Sequence, residues 1–173
     1  KFFKTMGVDI KVISGDNPLT VSRIAERVEI ENYNKYISLE NVKDEEIENI
    51  CTEYTIFGRV NPTQKRLLVQ ALKKKGKTVA MTGDGVNDIL ALREADTSIA
   101  MAEGSEAARN VAEVVLMDSN FSSMPKIVAE GRRVINNIEK VTTLFITKTI
   151  FSVVLSLIAI YLAAARRGAY PLE

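Results

Sequence analysis

Two aspartates, Asp84 and Asp88, lie four residues apart in the stretch VAMTGDGVNDILAL, which covers residues 79–92. Gly83 and Gly85 flank Asp84 after an apolar run, so we expect a tight turn at the carboxyl end of a buried strand, where backbone approaches a ligand closely. Two neighbouring carboxylates repel each other unless a cation offsets their charge. Mg²⁺ is the natural candidate, because it prefers hard oxygen ligands and keeps positions for water and phosphate oxygens.

The three polar side chains of this loop suit different tasks. Asp84, held in the turn, is the better direct metal ligand. Asp88 is expected in the first turn of the following helix, where it supports the metal from behind or through a water molecule. Asn87 offers an uncharged amide donor to a phosphoryl oxygen. A turn residue and a helix-start residue would explain either aspartate alone, but the combined string TGDGVND favours a site.

The elements around this loop alternate between strand and helix. Apolar runs predict strands over residues 9–14, 36–38, 55–60, 77–83, 97–102 and 113–118. Helical patterns fill the intervals, and two of them open with Asn-Pro, which suits a first helical turn. Because the strands are apolar throughout rather than alternating, the pattern indicates an α/β fold with a mostly parallel sheet covered on both faces.

A long helical pattern begins near Ser123 and has no strong breaker. Its segment Leu144–Ala165 carries one charge, Lys148, and as a helix would span about 33 Å, close to the hydrocarbon thickness of a bilayer. A buried core helix or a partner-binding helix is the alternative to a membrane span. We therefore expect a domain over residues 1–122, a stalk helix over 123–143, a transmembrane helix over 144–165 and the start of an extracytoplasmic loop over 166–173.

The composition limits the chemistry further. The formal net charge is +1, which predicts no nucleic-acid partner. The sequence has no histidine, so the commonest acid–base and zinc chemistries are excluded. A single cysteine excludes an internal disulfide framework. Catalysis would therefore depend on carboxylates, lysine, hydroxyl groups or a cation bound by oxygen.

The strings VISGDN, GRVNPTQK and TGDGVND, followed by the AD.SIAM..GS.AA pattern and by GRRVINNI, resemble the P-type ATPase branch of the haloacid dehalogenase superfamily. The resemblance implies a Rossmann-like fold, here partial, and a long helix that enters the membrane. It implies an ATP-driven cation pump of the cell membrane with several spans and a cytoplasmic phosphorylation domain. ATP and Mg²⁺ are the implied cofactors, and the transported cation, the lipid bilayer and the remaining domains of the same pump are the implied partners.

The resemblance also assigns roles to individual residues in the first two motifs. Ser14 matches the hydroxyl that binds the transferring phosphoryl group, with the Gly15 N–H beside it, and Asp16 is linked to nucleotide binding. Arg59 matches an arginine that helps to hold the nucleotide. Lys65 matches the lysine that neutralises the nucleophile and the phosphate.

In the acidic loop, the resemblance makes Asp84 a magnesium ligand, Asn87 a phosphate-site amide and Asp88 the second acidic member. These roles agree with the chemistry of phosphoryl transfer, which needs positioning and charge neutralisation.

The family's nucleophile is an aspartate in an Asp-Lys-Thr-Gly-Thr string, which this sequence lacks. We therefore expect the chain to be part of a longer protein, and to be unable to form the aspartyl phosphate by itself.

The ion-path positions implied by the resemblance hold Thr149 and Ser152, which bring no charge. Lys148 beside them is either a countercharge near the ion path or a side chain that reaches the headgroups. The loop GDGVNDILALREAD resembles a bacterial subgroup that exports divalent cations, with calcium as the expected ion.

Two other functions remain open at this stage. A soluble phosphatase of the same superfamily would use a similar acidic loop, but the apolar segment 144–165 argues against it. A membrane-anchored regulatory module with an inactive site would keep the fold without Mg²⁺-dependent phosphoryl binding.

Overall fold

The computed structural model of the protein describes residues 2–168, which divide into two compact units after Ser122. The first unit contains six strands and six α-helices. The strands are β1 (Val12–Ile13), β2 (Tyr36–Ser38), β3 (Ile56–Gly58), β4 (Ala80–Gly83), β5 (Thr97–Met101) and β6 (Val114–Leu116). The helices are α1 (Phe2–Thr5), α2 (Pro18–Arg27), α3 (Ile47–Ile50), α4 (Pro62–Lys74), α5 (Ile89–Glu94) and α6 (Glu106–Val111). Short 3₁₀ turns at Asp44–Glu46 and Val86–Asp88 lead directly into α3 and α5.

The strands form two parallel three-stranded sheets, in the orders β1-β3-β2 and β4-β5-β6. In the first sheet Val12 lies opposite Ile56, and in the second Met81 lies opposite Ser98. The expected parallel α/β architecture is confirmed. Within residues 2–168, however, no strand joins β1 to β4, so both are edge strands. Their residues are less buried than those of β3, which is buried throughout.

The two Asn-Pro helix starts are confirmed, and both use the asparagine side chain as a cap. Asn17 Oδ1 accepts a hydrogen bond from the Leu19 N–H at 2.9 Å. Asn61 and Gln64 form a reciprocal capping box, which satisfies two N–H groups at the start of α4. This anchors the helix that follows β3 at its first turn.

Apolar side chains pack into two main clusters, one in each half of the unit. The first surrounds Phe57 of β3 and is closed by α3 and α4, and the second lies between Met81 of β4 and helices α4, α5 and α6. Helix α4 contributes Leu68 to the first cluster and Val69 to the second. One helix therefore packs against both halves, which fixes its position relative to the strand ends of each.

The second unit is dominated by one helix, α7 (Met124–Gly168). The segment Phe121–Arg166 is long and apolar enough to cross a membrane, with a mean hydropathy of 2.1 in its most apolar window, and none of that window is buried. Helix α7 continues to Gly168 without a break at the predicted boundaries of stalk, span and loop. The rest of the predicted extracytoplasmic segment, residues 169–173, lies outside the described residues.

Candidate active site

Lys65 and Asp88 form the best-defined polar contact of the candidate site. Lys65 lies in the first turn of α4, and its Nζ is 2.6 Å from Oδ1 of Asp88, at the end of the 3₁₀ turn after β4. The two side chains are 12% and 11% exposed. Their placement follows from the local structure, because α4 begins directly after the β3 end and the turn begins directly after β4. The pair therefore joins the carboxyl ends of the two sheets.

The Asp88 side chain is fixed by contacts with its neighbours. Its Oδ2 accepts a hydrogen bond from the Gly85 N–H at 3.2 Å. A Cβ at Gly83 would lie 2.5 Å from the Asp88 Cβ, so only glycine allows this side chain to pack against the strand end. Both carboxylate oxygens of Asp88 thus have partners from the protein itself. This arrangement suits the supporting role predicted for Asp88 better than direct metal ligation.

Asp84 and Asn87 are exposed to solvent, whereas Asp88 is buried. Among the described residues, none makes a hydrogen bond or an ion pair with the Asp84 carboxylate. Within residues 2–168 no group of three or more acidic, histidine or cysteine side chains converges on one point. One free carboxylate beside an amide still fits Mg²⁺, which is commonly bound through one or two carboxylates and completed by phosphate and water oxygens. Asp84 is the residue that would hold it.

The loop after β5 supports the Asp84 turn from behind. The Ser105 N–H donates to the Asp84 carbonyl at 2.7 Å. A Cβ at Gly104 would lie 2.8 Å from that carbonyl oxygen and 3.1 Å from the Asp84 Cα. Gly104 and Ser105 are the GS of the AD.SIAM..GS.AA pattern. The sequence of the acidic loop, however, does not indicate that these two residues contact Asp84. Their contact with Asp84 requires the tertiary fold.

The remaining predicted residues meet at the ends of β1 and β3. The Arg59 N–H donates to the Asp16 carbonyl at 2.9 Å, and the Val60 N–H donates to the Ser14 carbonyl at 3.0 Å. The Ser14 hydroxyl accepts from the Asp16 N–H at 3.1 Å. Arg59 has a φ of 53°, a left-handed conformation that is uncommon outside glycine. The Arg59 side chain that follows this strained backbone is exposed.

The structure thus assembles two groups of predicted residues. One contains the SGD turn, including Gly15, and Arg59, and the other contains Lys65, Asp84, Asn87 and Asp88. Lys65 belongs to the second group through its contact with Asp88, although it follows Arg59 closely in sequence. Lys148, Thr149 and Ser152 lie on α7 in the other unit. The predicted roles of all these residues stay predictions.

Parallel strands with helices, glycine turns at the strand ends and a lysine–aspartate pair between them define a haloacid dehalogenase-like hydrolase domain. The corresponding family, described as "Hydrolase: haloacid dehalogenase-like hydrolase", matches residues 1–96. The chain belongs to this family. The fold class predicted from the sequence is therefore confirmed.

Two curated relatives that match the chain are named as cation-transporting ATPases. The chain is 50% identical over 167 residues to the "Probable cation-transporting ATPase exp7" of Streptococcus pneumoniae, covering 96% of this chain and 22% of that protein. It is 48% identical over 157 residues to the "Calcium-transporting ATPase CtpE" of Mycobacterium tuberculosis, covering 91% of this chain and 20% of that protein. The chain therefore spans about a fifth of the length of these curated relatives.

Solved structures give the same fold. A catalytic domain of the CPx-ATPase CopB-B matches with a TM-score of 0.58 and 26% identity, covering 73% of this chain and 41% of that one. A zinc-transporting PIB-type ATPase in its E2.Pi state matches with a TM-score of 0.62 and 23% identity, covering 80% of this chain and 19% of that one. At that identity the second likeness concerns the fold alone.

Proposed function

We propose that the chain is part of an ATP-driven cation pump that forms an aspartyl-phosphate intermediate. In this proposal the first unit supplies the magnesium- and phosphate-binding half of a cytoplasmic phosphorylation domain, and α7 carries it into the cell membrane. The identity to cation-transporting ATPases over nearly the whole chain supports the proposal. The lipid bilayer, ATP, the transported cation and the other domains of the pump are its partners.

The Lys65–Asp88 contact beside an open Asp84 carboxylate is the observation that carries this proposal. Phosphoryl transfer depends mainly on positioning and on neutralising charge on the transferring group. Asp88 fixes the direction of the Lys65 ammonium, which keeps donors available for a phosphate oxygen or for the nucleophile. Mg²⁺ held at Asp84 would supply positive charge to the transferring phosphoryl group. Asp84 holds the ion, Asp88 supports the loop, and Asn87 donates its amide to the phosphoryl group.

The SGD turn and Arg59 complete the phosphate and nucleotide contacts. The Ser14 hydroxyl and the Gly15 N–H bind the phosphoryl group, whereas Asp16 and Arg59 contact the nucleotide. The backbone hydrogen bonds between the two turns hold Ser14 and Arg59 in a fixed relation. These bonds would link nucleotide binding to the position of the phosphate donors.

The two edge strands support a proposal for the place of the nucleophile. Within the described residues, β1 pairs only with β3 and β4 pairs only with β5. Both strands belong to parallel sheets, and strand edges with unpaired backbone groups favour the addition of another strand. We propose that the strand bearing the nucleophilic aspartate pairs with β1 and β4, which would bring its carboxyl end beside Lys65 and Asp84.

Acid-quenched phosphorylation of the full-length pump tests the proposal. Labelled ATP and Mg²⁺ should give an acid-stable phosphoenzyme, and Lys65→Ala and Asp84→Asn should each lower its level at least about 100-fold, by analogy with the loss of one preorganised charge. Arg93→Ala, an exposed arginine in α5, is the matched control and should label like the parent. Absence of an acid-stable label on the parent would contradict a pump and favour the inactive regulatory module.

The proposal also includes the identity of the transported ion. Calcium is proposed because the CtpE relatives are named as calcium-transporting. An ATPase assay of the full-length pump with a panel of cations tests it. Stimulation by another ion but not by Ca²⁺ would remove calcium and leave the pump. Lys148→Met in the same assay separates a countercharge, which predicts altered ion affinity, from a lysine that only reaches the headgroups, which predicts the parental affinity.

A further inference from the structure

The position of the Asp84 carboxylate depends on the backbone of its turn. Glycines stand on both sides of the aspartate, and its side chain is exposed. A metal ligand must be held within a fraction of an ångström of its working position, and contacts from residues around the ligand normally provide that restraint. For Asp84 the contacts come from residues 102–105, the loop between β5 and α6, which we call the bracing loop.

The bracing loop touches the backbone of Asp84 at two points. The Ser105 N–H donates to the Asp84 carbonyl at 2.7 Å, and Gly104 lies so close that a Cβ would meet the same carbonyl at 2.8 Å. Ser105 also caps α6, because its hydroxyl accepts from the Ala108 N–H at 3.1 Å. The contact with Asp84 is therefore attached to the start of a helix.

Arg109 of α6 holds the bracing loop closed. Its Nη1 donates to the carbonyl of Ala102 and, at 2.9 Å, to the carbonyl of Gly104. The side chain is half-buried rather than free in solvent. A single guanidinium nitrogen thus joins both sides of the loop. Without it, the two carbonyls would lose this shared donor.

We propose that Arg109 and Gly104 are positioning residues for the Asp84 magnesium site. Arg109 touches neither the metal nor the phosphate. It acts through the bracing loop, which sets the place of the Asp84 backbone and so the direction of its carboxylate. This inference rests on the proposed function, because it assumes that Asp84 binds the metal.

Binding of Mn²⁺ to the full-length pump tests the inference without turnover. Mn²⁺ takes the same hard oxygen ligands as Mg²⁺ and is detected by its paramagnetic resonance signal. Transport sites are discounted by comparing Mn²⁺ bound with and without beryllium fluoride, a phosphate mimic. Asp84→Asn should abolish the fluoride-dependent signal, which identifies it as the Asp84 site.

Arg109→Met keeps the apolar stem and removes the guanidinium. We expect the fluoride-dependent Mn²⁺ affinity to fall about 10-fold, the lower end of the range for outer-shell partners, while the KM for ATP stays at the parental value. Gly104→Ala should weaken Mn²⁺ similarly, because the added methyl group displaces the Asp84 carbonyl. Arg93→Met, on exposed α5 surface, should bind Mn²⁺ like the parent. The melting temperature establishes that each variant is folded.

The outcomes separate this inference from the proposed function. Parental Mn²⁺ affinity in folded Arg109→Met overturns the inference alone. If that variant does not fold, Gly104→Ala decides by the same criterion. A parent pump without any fluoride-dependent Mn²⁺ signal, or with one that survives Asp84→Asn, overturns the magnesium role of Asp84 together with the inference.

Discussion

The ammonium group of Lys65 lies 2.6 Å from the carboxylate of Asp88, although 23 positions separate the two residues in sequence. The contact joins the start of α4 to the turn after β4. Because both side chains are nearly buried, the pair is shielded from solvent and its energy is not reduced to that of a surface ion pair. The same two residues therefore support the fold and shape the candidate site.

A double-mutant cycle on Lys65 and Asp88 should reveal this coupling. Removing one partner leaves a nearly buried charge without compensation, so Lys65→Met and Asp88→Asn should each lower the free energy of unfolding by about 2–3 kcal/mol. The double variant should lose less than the sum, by about 1–2 kcal/mol.

Labelling of Cys51 in denaturant, with the chain in detergent micelles, measures these changes. Cys51 is the single cysteine of the sequence and is fully buried. Because the folded unit shields this thiol and burial also raises its pKa, maleimide labelling reports opening of the first unit. Additive losses in the double variant would contradict an energetic coupling between Lys65 and Asp88.

Gly58 should be intolerant of any side chain. A Cβ there would lie 2.5 Å from the Pro18 nitrogen and 2.6 Å from its Cα, and backbone atoms cannot move aside as a flexible side chain can. We expect Gly58→Ala to lower the free energy of unfolding by about 1–3 kcal/mol, as overpacking does. Gly131→Ala is the matched control, since a Cβ there meets nothing within 4 Å. Equal Cys51 labelling in the two variants would contradict the expectation.

Asp96 should make the stability of the first unit depend on pH. The Val79 N–H, at 2.8 Å from Oδ2, and then Lys73, at 3.2 Å from Oδ1, hold the pKa of this carboxyl below its usual value. A lowered folded pKa means that the stabilisation is complete above the unfolded value of about 3.9 and is lost as the pH falls through the folded value.

Asp96→Asn should therefore lower the thermal midpoint at pH 7, and its difference from the parent should shrink as the pH falls below about 4. Thermal unfolding of both chains between pH 3 and 7 measures this difference. A difference that is constant over the whole range would show that the charge of Asp96 is not responsible.

Thr149 and Thr147 allow a matched pair of substitutions on α7. Its Oγ1 donates to the Phe145 carbonyl at 2.9 Å, and the Oγ1 of Thr147 donates to the Thr143 carbonyl at 2.8 Å. Both hydroxyls use their proton in the helix and keep lone pairs as acceptors. Two residues apart, however, they point to opposite faces of the helix.

If Thr149 lies on the ion path, Thr149→Val in the full-length pump should weaken the apparent affinity for the transported cation about 10-fold, the loss of one contact to a charge. Thr147→Val should have no such effect. Cation-dependent phosphorylation measures both, and equal behaviour of the two variants would exclude a special role of the Thr149 face. Ser152→Ala provides an independent check on the same face.

Local patterns were sufficient to predict most elements of this chain. The helices Pro18–Arg27 and Pro62–Lys74 begin at their Asn-Pro signals, and the short strand Tyr36–Ser38 has the predicted bounds. These features depend on capping groups and apolar runs that neighbours in sequence provide. In the interval between β2 and β3, where a helical pattern is expected, the chain forms only a 3₁₀ turn followed by the four-residue α3. Whether such short helices form depends on tertiary packing more than on the helix propensity of their residues.

The sequence by itself determined the fold class, the acidic loop and the long apolar helix, because each is a pattern of neighbouring residues. Only the tertiary structure decided that Asp88 contacts Lys65 while Asp84 stays open, and that Gly104, whose carbonyl accepts from Arg109, lies against the Asp84 backbone. It also decided that the strands form two sheets with β1 and β4 at their edges. These facts depend on which strand ends meet in space, and spacing along the chain does not specify that.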